Sequence, residues 1–118
     1  MTTKELIGKL IYELELLKVL RAKNEGEGTY VVANVQYVHV RKGYGLGDTD
    51  FLIVAPFSAR YATIFYSKPD AERRGMDYNL KDGAGNKVEL EIIPATEFYS
   101  AVIEMTQNII KHLKAASE

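Results

Sequence analysis

The stretch TTKELIGKLIYELELLKVLRAKN, residues 2–24, has the pattern of an amphipathic helix. Thr2 and Glu5 stand three positions apart, which is the spacing of a capping box, where each side chain accepts a hydrogen bond from the other residue's backbone N–H. Leucine and isoleucine then recur every three or four positions, as they do along one side of a helix. The segment 24–28 contains Asn and two Gly, which disfavour continuation of the helix. We therefore predict a helix over residues 3–23.

After this helix the sequence changes to the β-branched and aromatic residues that favour strands. TYVVANVQYVHV (29–40) reads as a long strand, and DFLIVAP (50–56) as a second, nearly continuous in apolar residues. RYATIFYSK (60–68) follows closely enough to pair with the second strand as a hairpin. MDYNLKD (76–82) and KVELEII (87–93) alternate around a glycine-containing turn, which predicts another hairpin.

A second helix is predicted after Pro94, where Phe98, Val102 and Met105 begin an apolar series with helical spacing. The connections between the strands are too short for helical crossovers, so the strands should be antiparallel. The sequence therefore predicts one α+β domain over residues 1–118. Its sheet has about five strands, mostly antiparallel, and is flanked by an N-terminal and a C-terminal helix. Both helices are expected on one face of the sheet, which leaves the other face free.

The composition narrows the class of protein. A chain of 118 residues suits a single domain. No apolar run approaches the roughly 18 residues of a membrane span, and no secretion signal is present, so we expect a cytoplasmic protein. The chain has no cysteine, and its two histidines, His39 and His112, are far apart, so neither a metal nor a cofactor is expected. The abundance of lysine and glutamate is typical of proteins from hot environments.

Asp48 and Asp50 raise the possibility of a metal-dependent nuclease. They precede a buried strand, and the stretch resembles nucleases of the restriction-endonuclease class, whose partner strand supplies a second acid in a Glu-x-Lys element. Here Phe65 and Tyr66 stand where that acid should fall, with only Lys68 nearby. Without the second carboxylate a divalent cation lacks ligands. This interpretation is the least favoured, and because no nucleophile elbow is present either, we expect no enzymatic activity.

The aromatic residues favour a nucleic-acid-binding domain. Eight of the twelve Phe and Tyr residues fall between positions 30 and 66, with basic residues beside several of them. Single strands of DNA or RNA are bound in this way, by cations that contact phosphates and rings that stack on bases with little sequence preference. We predict phosphate contacts from Arg41, Lys42, Arg60, Lys68, Arg73 and Arg74, and stacking from Tyr37, Tyr44, Tyr61 and Tyr66. The pI of 6.1 is low for such a domain.

The alternative is a protein-interaction or oligomerisation module. The first helix carries two overlapping apolar series, so its stripe is wider than one contact with a sheet requires. These series are Ile7, Leu10, Leu14 and Leu17, and Leu6, Ile11, Leu16 and Leu20. Part of this surface would then pair with another copy of the chain. A homo-oligomer is compatible with nucleic-acid binding as well, since two copies can join their basic surfaces.

Overall fold

The computed structural model describes residues 2–34, 57, 59–75, 85 and 90–116. Along this part of the chain the elements are helix α1 (Thr3–Asn24), strand β1 (Tyr30–Asn34), a 3-10 turn (Ala59–Tyr61), the short helix α2 (Lys68–Asp70) with a π-helical turn after it (Ala71–Gly75), strand β2 (Leu90–Pro94) and helix α3 (Ala95–Ala116). Most of the described residues are helical.

The predicted fold class, an α+β domain built on a five-stranded antiparallel sheet, is wrong. Within the described residues there are three α-helices and a two-stranded antiparallel sheet. Strands β1 and β2 pair in a register that runs from Tyr30 opposite Pro94 to Asn34 opposite Leu90. The remaining parts of the predicted strands, in 35–56 and 76–89, lie outside the described residues apart from Gly85.

The predicted strand over residues 60–68 is replaced by turns. The N–H of Ala62 donates to the carbonyl of Ala59 at 3.1 Å, which closes a 3-10 turn. Phe65 forms an isolated bridge to Tyr30, with reciprocal N···O distances of 2.8 and 2.9 Å. Ser67 then caps α2, its Oγ accepting from the N–H of Asp70 at 3.2 Å. The β propensity of this stretch is therefore overridden by local turns and by contacts with α1.

Helix α1 confirms the prediction from the capping pattern and extends one residue beyond it. Thr2 Oγ1 accepts from the N–H of Glu5 at 3.1 Å. At the other end Asn24 donates from Nδ2 to the carbonyl of Leu20 at 2.8 Å, and its Oδ1 accepts from Thr29 Oγ1 at 2.8 Å. Gly26 and Gly28 follow with φ of 74° and 65°. Such positive φ angles strain other residues, so these glycines allow the chain to reverse into β1.

The core lies between α1, α3 and one face of the sheet. Val31 of β1 and Ile93 of β2 are paired across the strands and are both buried. Helix α3 begins directly after Pro94, as predicted, and gathers its apolar side chains on the side that faces the core. The central buried residues are Leu10, Leu14, Leu17, Val31, Ile93, Phe98, Tyr99, Val102, Ile103 and Ile110.

Helix α3 buries two residues that carry hydroxyl groups, Thr106 and Tyr99. Thr106 is fully buried, and its hydroxyl donates to the carbonyl of Val102 at 2.7 Å, so it leaves no unpaired donor. Burial raises the pKa of the Tyr99 hydroxyl above that of an exposed tyrosine. The ring of Tyr99 contacts Phe98 edge to face at a centroid distance of 5.4 Å. None of the helices in the described part of the chain combines the length and the hydropathy needed to cross a lipid bilayer.

Candidate functional site

Several of the residues proposed from the sequence lie outside the described part of the chain. These are the predicted nucleic-acid contacts Tyr37, Arg41, Lys42 and Tyr44, and the aspartates Asp48 and Asp50 of the nuclease interpretation. Over residues 2–34, 57, 59–75, 85 and 90–116, no three His, Asp or Glu side chains come together as a metal site requires. The other six proposed residues lie within the described part of the chain.

Arg60 already has a carboxylate partner inside the protein. Its Nη1 lies 3.4 Å from Oε1 of Glu13, whose side chain is only 6% exposed, whereas that of Arg60 is 32% exposed. The guanidinium also lies over the ring of Tyr61, 4.9 Å from its centroid, in a cation–π arrangement. Arg60 therefore links α1 to the 3-10 turn, and a phosphate would have to compete with Glu13 for it. Its phosphate contact stays a prediction.

The two described tyrosines of the predicted stacking set are open to solvent. Tyr61 is 73% exposed and Tyr66 is 81% exposed. A tyrosine ring is normally at least partly buried, because its apolar area is large. The ring of Tyr66 and the face of the Tyr61 ring that Arg60 does not cover are therefore available for contact with a ligand or a second chain.

Two of the three basic residues that follow these tyrosines, Arg73 and Arg74, share one acid. Lys68 is exposed in α2, and Arg73 and Arg74 are exposed in the π-helical turn. Arg73 Nη2 lies 2.8 Å from Oδ1 of Asp70, and Arg74 Nη1 lies 3.6 Å from Oδ2. Such exposed pairs contribute about 0–1 kcal/mol, so the cations remain available to an anion, but Asp70 lowers the local positive charge.

A groove beside α1 was not predicted from the sequence. It has a volume of about 540 Å³ and is lined by Glu5, Gly8, Lys9, Tyr12, Glu13, Phe57 and Arg60. Gly8 contributes to the opening, because a Cβ added at this position would meet no atom within 4 Å. Glycine inside a helix costs roughly 1 kcal/mol relative to alanine. Packing within the described residues therefore gives no reason for a glycine here.

Two residues that line the groove, Glu13 and Arg60, each carry a buried polar atom without a partner in the described part of the chain. Oε2 of Glu13 and Nε of Arg60 are buried and have no hydrogen-bond partner among the described residues. An unpaired buried polar group costs about 1–3 kcal/mol. The sequence offers one signal for this arrangement, since Glu13 falls between Leu10 and Leu14 on the buried side of α1. Its partner could not have been found from the sequence pattern.

A second feature of α1 is an exposed apolar surface. Ile11, Tyr12 and Val19 are 42%, 65% and 50% exposed, although Leu10, Leu14 and Leu17 of the same helix are buried. From helical geometry, Tyr12 and Val19 lie nearly opposite to the buried leucines, with Ile11 at the edge of the same side. We define this outer face as Gly8, Ile11, Tyr12, Glu15 and Val19. Of the two apolar series that the sequence indicated, only Ile11 is exposed, and Tyr12 and Val19 belong to neither series.

Comparison with protein-family models, with curated protein sequences and with solved structures gave no match.

The Glu13–Arg60 pair generates a prediction about stability. Arg60→Leu should lower the free energy of unfolding by roughly 2–4 kcal/mol, because the carboxylate of Glu13 would stay buried without its partner. The double variant Glu13→Leu/Arg60→Leu should recover most of that loss, since no buried charge then remains. Urea denaturation monitored by circular dichroism measures both.

Arg73→Leu is the matched control for this prediction. It removes the same type of side chain from an exposed pair, so the free energy of unfolding should change by less than about 0.5 kcal/mol. Equal losses in Arg60→Leu and Arg73→Leu would contradict the burial of the Glu13–Arg60 pair.

Proposed function

We propose that this protein is a non-enzymatic interaction module that self-associates through the outer face of α1. The observation that supports this proposal is the exposure of Ile11, Tyr12 and Val19 on the side of α1 that faces away from the core. Exposed apolar residues grouped on one side of a helix are typical of surfaces that bind another chain. In α3, by contrast, the apolar side chains point to the core.

A second copy of α1, running antiparallel, is the partner that suits this face. In a two-fold symmetric contact every interaction occurs twice, so a surface must be complementary to itself. If the axis passes between residues 13 and 14, Gly8 lies opposite Val19 of the partner subunit. The open space at Gly8 then receives a β-branched side chain. This contact gives a reason for a glycine in the interior of α1.

The same register brings opposite charges together. Glu5 and Lys23 are both exposed and lie on the same flank of α1. With the axis between residues 13 and 14, Glu5 comes close to the partner's Lys23, and the pair forms twice. Each exposed pair contributes about 0–1 kcal/mol, so these pairs select the antiparallel orientation more than they supply affinity.

The proposal predicts opposite effects of one substitution on folding and on association. Gly8→Leu should raise the stability of the monomer by about 0.5–1 kcal/mol, because leucine is a better helix former and its Cβ meets no neighbour. The same side chain should block the partner's Val19 and weaken self-association at least about tenfold, a loss of about 1.4 kcal/mol. Sedimentation equilibrium measures association, and urea denaturation of dilute protein measures stability.

A charge exchange is the control for the register. Glu5→Lys should weaken self-association, and Glu5→Lys/Lys23→Glu should restore it, because each pair is then reversed in sign. A native chain that remains monomeric at high micromolar concentration would contradict the proposal. So would a double variant that associates no better than Glu5→Lys alone.

Binding of single-stranded nucleic acid is the second candidate function. The observation that favours it is the exposure of Tyr61 and Tyr66 close in sequence to the exposed cations Lys68, Arg73 and Arg74. Stacking on such rings is worth about 1–3 kcal/mol per base, and the cations would contact phosphates. Self-association would bring two such segments into one assembly and increase avidity.

This candidate predicts a specific loss of salt-dependent affinity. The triple variant Lys68→Ala/Arg73→Ala/Arg74→Ala should bind a labelled single-stranded oligonucleotide more weakly and with a shallower dependence on salt, because fewer phosphate counterions are released. Fluorescence anisotropy at two salt concentrations, with a duplex for comparison, measures both effects. The control variant Lys4→Ala/Lys18→Ala/Lys111→Ala also removes three positive charges, but at positions away from the proposed site. It should bind the oligonucleotide as the native chain does. Equal losses in the two triple variants would show that only overall charge matters.

A further inference from the structure

We infer that the groove beside α1 is a binding site for a small, neutral, planar heterocycle that carries an N–H donor next to a carbonyl acceptor. Uracil and guanine present such an edge. The groove is the one lined by α1 residues, Phe57 and Arg60. The inference does not require self-association. Gly8 and Tyr12 belong to both the groove and the outer face, so a bound ring and Val19 of a second copy would compete for the space at Gly8.

The unused polar atoms define the edge that the ligand must present. Glu13 supplies a carboxylate oxygen, Oε2, that can only accept, and Arg60 supplies an N–H at Nε that can only donate. A ligand N–H would donate to Oε2, and an adjacent carbonyl oxygen would accept from Nε. Both buried groups would then be paired, which removes the unpaired state that the fold otherwise retains.

The charges of the groove favour a neutral ligand over an ion. Its ionisable groups are the acids Glu5 and Glu13 and the bases Lys9 and Arg60, and their formal charges cancel. An added anion or cation would have to leave water without a net opposite charge to receive it. A neutral group that offers one donor and one acceptor has no such cost.

The shape and lining of the groove favour a flat ring. Its volume of about 540 Å³ is within the range of small-molecule sites, roughly 300–1,000 Å³. Tyr12 and Phe57 line it, and aromatic side chains stack well on planar ligands. Gly8 lets a ring approach the backbone of α1, because no side chain stands in the way. An aliphatic amide could form the same hydrogen bonds but would not use the two rings.

Binding requires a local rearrangement of Arg60. Oε2 and Nε are shielded from solvent in this structure, so a ligand reaches them only when a side chain moves. Arg60 remains 32% exposed, and its contact with Glu13 is long at 3.4 Å. Side-chain rotamer changes on binding are common where the backbone moves little.

The first test compares ligands that bind the native chain. It uses no variant, so its result cannot be affected by misfolding of a variant. Uridine is titrated against ¹⁵N-labelled protein by NMR, beside 3-methyluridine, which lacks the N–H, and cytidine, which has no N–H at that ring position. We expect saturable shifts of the Gly8, Glu13 and Arg60 amides with uridine and at least about tenfold weaker binding of the other two. Equal binding of uridine and 3-methyluridine, or no binding of uridine at millimolar concentration, would overturn the inference.

The second test assigns the binding to Glu13. Glu13→Gln should weaken uridine binding at least about tenfold, whereas Glu15→Gln should leave it unchanged, because Glu15 is exposed on the same helix and does not line the groove. Unchanged uridine binding in a folded Glu13→Gln variant would overturn the assignment. A titration with oligouridylate shows whether the ligand is a free nucleoside or a base within a strand. If oligouridylate binds the native chain more tightly than uridine does, and Glu13→Gln loses this binding, the ligand is a base within a strand. If the affinity per base equals that of uridine, the ligand is a free nucleoside.

Discussion

The packing of α1 against α3 is the interaction on which the rest of the described structure depends. A two-stranded sheet has marginal stability by itself, and β1 and β2 gain theirs by laying Val31 and Ile93 against the two helices. Three leucines of α1, at positions 10, 14 and 17, fill the space between the helices and the sheet. Because α1 gives only this side to the core, its other side stays in solvent with apolar residues on it. The proposed self-association follows from that division.

The position of α1 also determines the groove. Arg60 reaches the helix from the 3-10 turn, and its pairing with Glu13 places two charged side chains at the margin of the core. A buried ion pair of this kind contributes little net stability, because desolvation offsets most of the attraction. Its incomplete hydrogen bonding costs more still. The stability of the fold alone therefore does not explain the Glu13–Arg60 pair, and a ligand would explain it. The open space at Gly8 lies beside this pair in the groove.

The helices could be predicted from the sequence because their signals are local. The capping pattern of Thr2 and Glu5, the turn-forming glycines and the apolar spacing after Pro94 each act within a few residues. The segment after Ala59 could not be predicted in this way. Its tyrosine, isoleucine and phenylalanine residues suit a strand, but the contact of Arg60 with Glu13 and the single bridge of Phe65 to Tyr30 join residues that are distant in sequence. Such tertiary contacts override the strand propensity of this segment.

The candidate sites likewise depend on tertiary contacts that local sequence patterns do not indicate. Tyr61 and Tyr66 both fall in the predicted strand over residues 60–68, and the exposure of their rings depends on the turns that replace that strand. The groove needs Glu13 and Arg60 together, and no spacing in the sequence indicates that these two residues meet. Of the exposed apolar residues of the outer face, only Ile11 belongs to the apolar series that the sequence indicated. Which apolar residues of α1 are exposed depends on how α1 packs against α3.

Disulfide cross-linking tests the central claim, the antiparallel contact of two α1 helices, most directly. The chain has no native cysteine, so Gly8→Cys and Val19→Cys each introduce a single reactive site. In the proposed register, position 8 of one copy faces position 19 of the other, while like positions are separated by roughly 16 Å along the helices. An oxidised mixture of the two variants should give the mixed disulfide and little of either symmetric one. Predominance of symmetric disulfides, or no cross-linking at all, would contradict the account.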